Sequence, residues 1–374
     1  MIGIYIHIPF CRSRCIYCGF YSTTSLELRQ RYVETVVKEI GIRSQETGVR
    51  SIYLGGGTPS QLTIPQLQQI FDAIFIYNKV EKDAEVTIEV NPDDVTETFA
   101  EGLATLPVNR VSMGAQTFDD VRLKFLHRRH TSSQVRKAVS LLRSAGISNI
   151  SVDLMYGFPN ETISDWGGDI DAAIALDVEH LSAYCLTIEE ETELWRWLSQ
   201  KKGNPSCEIL PDEELERAMY EMLIDKSEAA GFEHYEISNF AKPGFYSRHN
   251  SSYWDGTPYL GIGAAAHSYD GNTRSWNIAD IHQYIEGMED GKRIFESETL
   301  DADTRYNDMV TVALRTRDGL DLKRLSEDYR DYCLRNAQRF LDDGQLQVTQ
   351  AQTLTLTRKG LFVSDMIMSE LMKV

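Results

Sequence analysis

Along the first two hundred or so residues, short runs of β-branched and aliphatic residues alternate with longer stretches in which apolar positions return every three or four residues. The short runs are Ile2–Ile8, Ser51–Leu54, Glu85–Val90, Arg110–Ser112, Ile150–Met155 and His180–Leu186, and each predicts a strand. The stretches between them, such as Leu26–Ile42, Ile64–Tyr77 and Ser132–Ala145, predict amphipathic helices. Six β-then-α units in series predict a parallel sheet with right-handed crossovers, either open or curled into a partial barrel.

Beyond about residue 200 the pattern changes. Asp212–Ala230 predicts a helix, with acids in its first turn and Gly231 past its end. A glycine- and aromatic-rich stretch follows from His234 to Trp276. From about Glu296 come two or three helices, then Gln345–Thr357, where Leu346, Val348, Leu354 and Leu356 predict a hairpin. A last helix begins near Lys359. This part reads as a small α+β module that resembles a winged helix.

Polar or glycine-rich features recur where the predicted strands end. Gly55-Gly56-Gly57-Thr58-Pro59 follows the second strand, Glu89 and Asn91 close the third, and Gln116 follows the fourth. Asp153 lies in the fifth, and Thr187 and Glu189 follow the sixth. Barrels and doubly wound folds build their active sites at the carboxyl ends of their strands. Any one of these features alone could be a turn or a cap; their repetition marks one end of the sheet as a site.

Charge narrows the function. The chain has 38 Lys and Arg against 56 Asp and Glu, a net charge of −18. That balance argues against general nucleic-acid binding, which depends on neutralising phosphates, and against a polybasic membrane anchor. No apolar run reaches the roughly 18 residues that span a bilayer. The segment Met1–Phe10 reads as a strand without a basic leader, so a cytosolic protein is expected. Residues 1–24 depart from the acidic average: they hold Arg12 and Arg14 and no acid.

The same segment holds three of the six cysteines, Cys11, Cys15 and Cys18; Cys185, Cys207 and Cys333 stand alone and read as small buried hydrophobes. In a reducing compartment three crowded cysteines point to a metal or a cluster rather than to disulfides. The spacing C-x-x-x-C-x-x-C suits a [4Fe-4S] cluster with three thiolate ligands, which leaves one iron open for a small chelating molecule. In radical S-adenosyl-L-methionine (SAM) enzymes that molecule is SAM, bound through its amino and carboxylate groups. The rival is zinc held by three cysteines and a fourth ligand. Zinc knuckles more often use C-x-x-C pairs, and no clear fourth ligand is near; His7, on the first strand, reads equally well as a core histidine.

Six segments then form a set: Tyr5-Ile-His-Ile-Pro-Phe-Cys11, the three-cysteine loop, Gly55–Pro59, Glu89-Val-Asn-Pro92, Ser112-Met-Gly-Ala-Gln116 and Asp153-Leu-Met-Tyr-Gly-Phe-Pro159. In this order they resemble the oxygen-independent coproporphyrinogen III oxidase group of radical-SAM proteins over nearly the whole chain. In the oxidase branch a fourth cysteine lies two residues after the third, where this chain has Phe20, and a long extension precedes the cluster loop, where this sequence has ten residues. Both departures, and His249-Asn-Ser-Ser-Tyr-Trp254, match the group's heme-chaperone branch.

The resemblance implies an α/β protein: a radical-SAM partial (β/α)6 barrel with the cluster and SAM site over residues 1–240, a connecting segment 241–295 carrying the H-N-x-x-Y-W motif, and a C-terminal winged-helix-like α+β module over 296–374. It implies that Tyr5 and Tyr17 contact SAM, that Gly56, Gly57 and Thr58 approach its methionine end, and that Glu89 holds its ribose. Glycine lets the backbone come close to such a ligand, and a carboxylate accepting from hydroxyls is chemically apt. Gln116, Arg128 and Asp153 match residues that in the oxidase touch a second SAM; the alternative is hydrogen bonding at the barrel mouth without a ligand. His267 lies in a segment whose counterpart approaches SAM.

The implied function is heme binding and delivery to apoproteins such as respiratory enzymes, with heme, the cluster and SAM as cofactors. His249 is the best candidate for an axial heme ligand, since imidazole commonly serves as one. Its alternative is a structural hydrogen bond in an aromatic corner with Tyr253 and Trp254. The competing functions are oxidative decarboxylation of coproporphyrinogen III and a silent interaction protein with a structural cluster. The absent fourth cysteine counts against the first of these, and the SAM-pocket residues count against the second. Peripheral membrane contact and a homodimer are compatible with the sequence.

Overall fold

All six expected strands form in a computed structural model that describes residues 1–44, 47–201 and 210–373. They are β1 (Ile2–Ile8), β2 (Val49–Gly56), β3 (Val80–Val90), β4 (Arg110–Gln116), β5 (Asn149–Tyr156) and β6 (His180–Cys185). They pair in sequence order and all in parallel. Between them run α1 (Arg29–Ile42), α2 (Ile64–Tyr77), α3 (Glu97–Leu103), α4 (Asp120–Phe125), α5 (Ser132–Ser144) and α6 (Ile163–Ile174). Their starts follow local capping chemistry. Thr63 and Gln66 form a reciprocal capping box for α2, and Thr162 and Asp165 do the same for α6.

The strands alternate with period two although they are parallel. One face of each strand is apolar: Ile4, Ile6 and Ile8 on β1, Val86, Ile88 and Val90 on β3, and Val111, Met113 and Ala115 on β4 are buried in one core. That core also holds helix residues such as Val36, Ile70, Val139 and Ile170. The other face carries Tyr5, Ser51, Tyr53, Glu89, Arg110, Ser112, Ser151, Asp153 and His180. These side chains hydrogen-bond across strands, Tyr53 to Glu89, Ser112 to Asp153 and Ser151 to His180. Parallel strands covered on both sides read as continuous apolar runs. Here helices cover one side only, and the other lines a polar lumen.

The sheet is wider than expected. β7 (Glu233–Glu236) and β8 (Asn239–Ala241) extend it antiparallel beyond β6. β9 (Tyr259–Ile262) pairs in parallel with β1, and β10 (His267–Tyr269), β11 (Thr273–Asn277) and β12 (Phe295–Thr299) continue from it, making twelve strands. Residue 240 therefore falls inside β8, and much of the segment read as a connection belongs to the main sheet. These strands span only three to five residues, too short to show a period, and their neighbours set their pairing. Between β6 and β7 lie α7 (Glu193–Lys201) and α8 (Glu213–Ala229), the latter capped by Asp212. α9 (Arg248–Trp254) and α10 (Ile281–Glu289) follow.

The C-terminal module has its own core, built on Val310, Leu314, Phe340, Leu354 and Ile367. It comprises α11 (Ala302–Leu314), β13 (Leu320–Asp321), α12 (Glu327–Asp342), β14 (Leu346–Val348), β15 (Thr353–Leu356), α13 (Arg358–Leu361) and α14 (Ser364–Leu371). β14 and β15 form the expected hairpin. Cys333 is buried in this core, Cys185 is partly buried, and Cys207 lies outside the described residues. Among the described residues no helix is long and apolar enough to cross a membrane.

Candidate functional site

The cysteine loop leaves β1 and returns to it. Cys11 N–H donates to Thr23 O at 2.9 Å and Thr23 N–H to Pro9 O at 2.7 Å, which pinches the loop at its base. Arg14 braces it from within, donating to Ser22 Oγ at 3.0 Å and Ser22 O at 2.9 Å. Ile16 anchors the middle, buried with Leu126, Phe158, Leu186 and Leu194. Cys11, Cys15 and Cys18 are free thiols, each partly exposed. Burial pushes the Cys11 and Cys18 thiols up. Among the described residues no three His, Cys, Asp or Glu side chains, the three thiols included, are drawn together around one point.

Beneath the loop, His7 Nε2–H donates to Tyr21 O at 3.0 Å, and the Tyr5 hydroxyl donates to His7 Nδ1 at 3.0 Å. Burial lowers His7 to about 4, so the ring is neutral and ties β1 to the returning loop. His7 is thus a satisfied core histidine. The glycine turn packs directly against this assembly. Gly56 has φ +112°, and a Cβ there would lie 2.6 Å from the His7 ring. A Cβ on Gly57 would lie 2.8 Å from the Pro9 backbone and 3.1 Å from Cys11 Sγ. Thr58 Oγ1 is 3.6 Å from Cys11 Sγ. Glu89 accepts from Tyr53 OH at 2.7 Å and from Gly56 N–H at 3.1 Å. Burial raises it to about 7, so its charge is marginal at neutral pH.

Gln116, Arg128 and Asp153 come to the same mouth. Gln116 holds a positive φ of 67° at the end of β4. Asp153 accepts from Ser112 Oγ at 3.2 Å, and burial raises its pKa. Arg128 donates to Asn91 Oδ1 at 2.8 Å, to Gly114 O at 2.5 Å and, through Nη1, to Cys15 Sγ at 3.7 Å. Beside it a small cleft, with room for little more than a water molecule, opens between Arg12, Cys15, Asp93, His127, Arg129 and His130. Sequence reasoning missed this cleft. The signal was the run His127-Arg-Arg-His130 in an otherwise acidic chain. His130 Nε2–H donates to Ala115 O at 3.1 Å; burial and the Arg128 charge lower it to about 3.

His249 lies elsewhere, at the closed end of the lumen. The carboxylate of Glu85 caps the start of α9, accepting from Arg248 N–H and His249 N–H, each at 2.9 Å. The His249 ring bonds Ser51 Oγ and Tyr253 OH, both at 3.0 Å, and stacks on Tyr53 with centroids 5.0 Å apart. Burial lowers it to about 3. This is the aromatic corner set out above as the alternative to a ligand role, and it does not meet the cysteine loop. His267 is exposed and stacks on Trp276, while the turn before it closes on β1: Tyr32 OH donates to His7 O and accepts from Ala264 N–H.

A barrel whose strand-end loops join three free cysteines to a glycine turn is the architecture of a radical-SAM protein, and residues 5–173 match the Radical SAM superfamily. The solved structure of coproporphyrinogen III oxidase HemN from Escherichia coli shares the fold, with a TM-score of 0.85 over 100% of this chain and 90% of that one at 21% identity. The heme chaperone HemW of Lactococcus lactis is 35% identical over 87% of this chain and 84% of its own length. HemW of Bacillus subtilis is 36% identical over 88% and 87%. The chain belongs to the HemW family of radical-SAM proteins.

Proposed function

We propose that this protein is a heme chaperone that carries a [4Fe-4S] cluster on Cys11, Cys15 and Cys18, binds SAM above it, and hands heme to apoproteins such as respiratory enzymes. The observation that carries the cluster and SAM reading is the contact between the cysteine loop and the glycine turn. Gly57 leaves no room for a side chain between the Pro9 backbone and Cys11 Sγ, so only its backbone borders that thiol. The residues present suit the group: three free thiols on a loop pinched at its base, with a Thr58 hydroxyl and an Arg128 guanidinium facing two of the sulfurs.

When bound, the cluster would supply one electron to SAM. The chain's own residues do the rest. Gly56, Gly57 and Thr58 offer backbone to the methionine end, Tyr5 and Tyr17 line the approach, and Glu89 accepts from ribose hydroxyls when ionised. Gln116 and Asp153 form the far wall of the mouth. Family membership supports the heme-chaperone reading, as does Phe20, 71% exposed where the oxidase branch has its fourth cysteine. His249 as axial ligand belongs to this proposal on one condition: the bond to Tyr253 must open to free a ring nitrogen.

The test is anaerobic reconstitution with iron and sulfide, followed by spectra with SAM and with heme added separately. We expect about four irons per chain, an electron paramagnetic resonance change on adding SAM, and a stoichiometric Soret band that does not need SAM. Turnover of coproporphyrinogen III would place the protein with the oxidases. A reduced spectrum indifferent to SAM would leave a structural cluster. Failure to bind heme would end the chaperone reading.

A further inference from the structure

Arg128 and Arg129 are neighbours in sequence with opposite circumstances. Arg129 pairs with Asp93 at 2.5 Å and Asp94 at 3.2 Å. Arg128 makes no ion pair with a carboxylate among the described residues, and its Nε is buried without a partner. A guanidinium taken out of water without a counter-charge is costly. This one is held in place by Asn91 Oδ1 and Gly114 O and turned so that Nη1 meets Cys15 Sγ. Asn91 Nδ2 in turn donates to Thr58 Oγ1 at 3.3 Å, and Thr58 Oγ1 meets Cys11 Sγ. One chain of contacts, Cys15–Arg128–Asn91–Thr58–Cys11, therefore spans the mouth and ends on sulfur at both sides.

We infer that Arg128 is a positioning residue for the cluster: its fixed positive charge raises the reduction potential by stabilising the extra electron, and Asn91 holds it to that task. The physical ground is that three thiolates give the cluster a net negative charge that grows on reduction, and that hydrogen bonds to the sulfurs and nearby charge set its potential. The cluster then adds a counter-charge in contact with Arg128, which Asp93 and Asp153 reach only through space. The inference rests on the cluster reading above and assigns Arg128 a role that needs no second SAM.

The test is a redox titration of reconstituted protein without SAM, followed by electron paramagnetic resonance. Arg128→Met should keep the wild-type iron content and be about tenfold harder to reduce, a shift of about 59 mV to more negative potential for a one-electron couple. Asn91→Ala should shift the potential in the same direction by less, and Arg128→Lys should recover part of it. Full iron content with an unchanged potential in Arg128→Met would overturn the inference. If Arg128→Met does not load, unchanged potentials in both Asn91→Ala and the neutral Arg128→Gln would overturn it equally. Wild-type protein that holds no cluster would show first, in its iron content, and would remove the cluster reading itself.

Discussion

The two ends of the barrel lumen are built from the same material and finished differently. At the closed end each histidine has two partners: His249 bonds Ser51 and Tyr253, and His180 bonds Ser151 at 2.8 Å and Tyr235 at 2.7 Å. Glu85 is spent on the amides of α9. At the mouth the groups are left open. Three thiols are free, Arg128 faces sulfur with no carboxylate within ion-pair distance, and burial holds Glu89 up at about 7 despite its bonds to Tyr53 and Gly56. Satisfied polar networks stiffen a core, whereas incomplete ones are where a ligand can complete the set. The closed end is not perfect, since Arg110 keeps Nε and Nη1 buried without partners.

The sharpest way to break this contrast is at the thiols. Alanine at Cys11, Cys15 or Cys18 should take the iron content from about four per chain to none, while alanine at Cys185, Cys207 or Cys333 should leave it intact. Iron analysis after reconstitution decides this, and loss of iron on mutating Cys207 or Cys333 would undo the open-iron reading. Next, Gly56→Val should abolish the spectral response to SAM, because its side chain must enter the space of the His7 ring at a backbone angle that disfavours it. A normal response in that variant would move the SAM site elsewhere.

His249→Ala probes the closed end. Removing a buried ring with two hydrogen bonds should lower stability by about 2–4 kcal/mol, measured by chemical denaturation. The heme band of the same variant is read separately. An unchanged Soret band would leave His249 purely structural, and a shifted one would support the ligand proposal.

The smallest effect is a difference in sign with pH. His249 is lowered from 6.5 to about 3, so the unfolded chain binds its proton first, and stability falls as pH drops below about 6.5. Glu89 is raised from 4.5 to about 7, so the folded chain keeps its proton longer. Its contribution is present at low pH and is lost as pH rises through about 7. Stability curves of wild type and Glu89→Gln should therefore diverge above pH ~5, with the wild type losing ground. SAM binding should run the other way, strengthening as Glu89 ionises. Parallel stability curves would show that Glu89 is not held as a neutral acid.

What could be read from the chain was local. The spacing of Cys11, Cys15 and Cys18, the Gly55–Pro59 turn, the six parallel strands and the hairpin at Leu346–Leu356 each depend on residues close in sequence, where periodicity, capping and turn chemistry act. The gathering of these polar residues at one mouth was legible too, because strand ends bring dispersed residues together in any parallel α/β fold. The polar lumen has a signal in the chain as well, the alternation in Thr87-Ile-Glu-Val and Arg110-Val-Ser-Met. Tertiary structure alone decided the rest. Strands β7 to β12 owe their existence to the edges they join. Whether His249 faces a ligand or a Ser51–Tyr253 corner, and whether Arg128 turns to a carboxylate or to Cys15, depends on partners between four and about two hundred residues away. No pattern along the chain records which of two chemically equal partners a long side chain will reach; packing selects it.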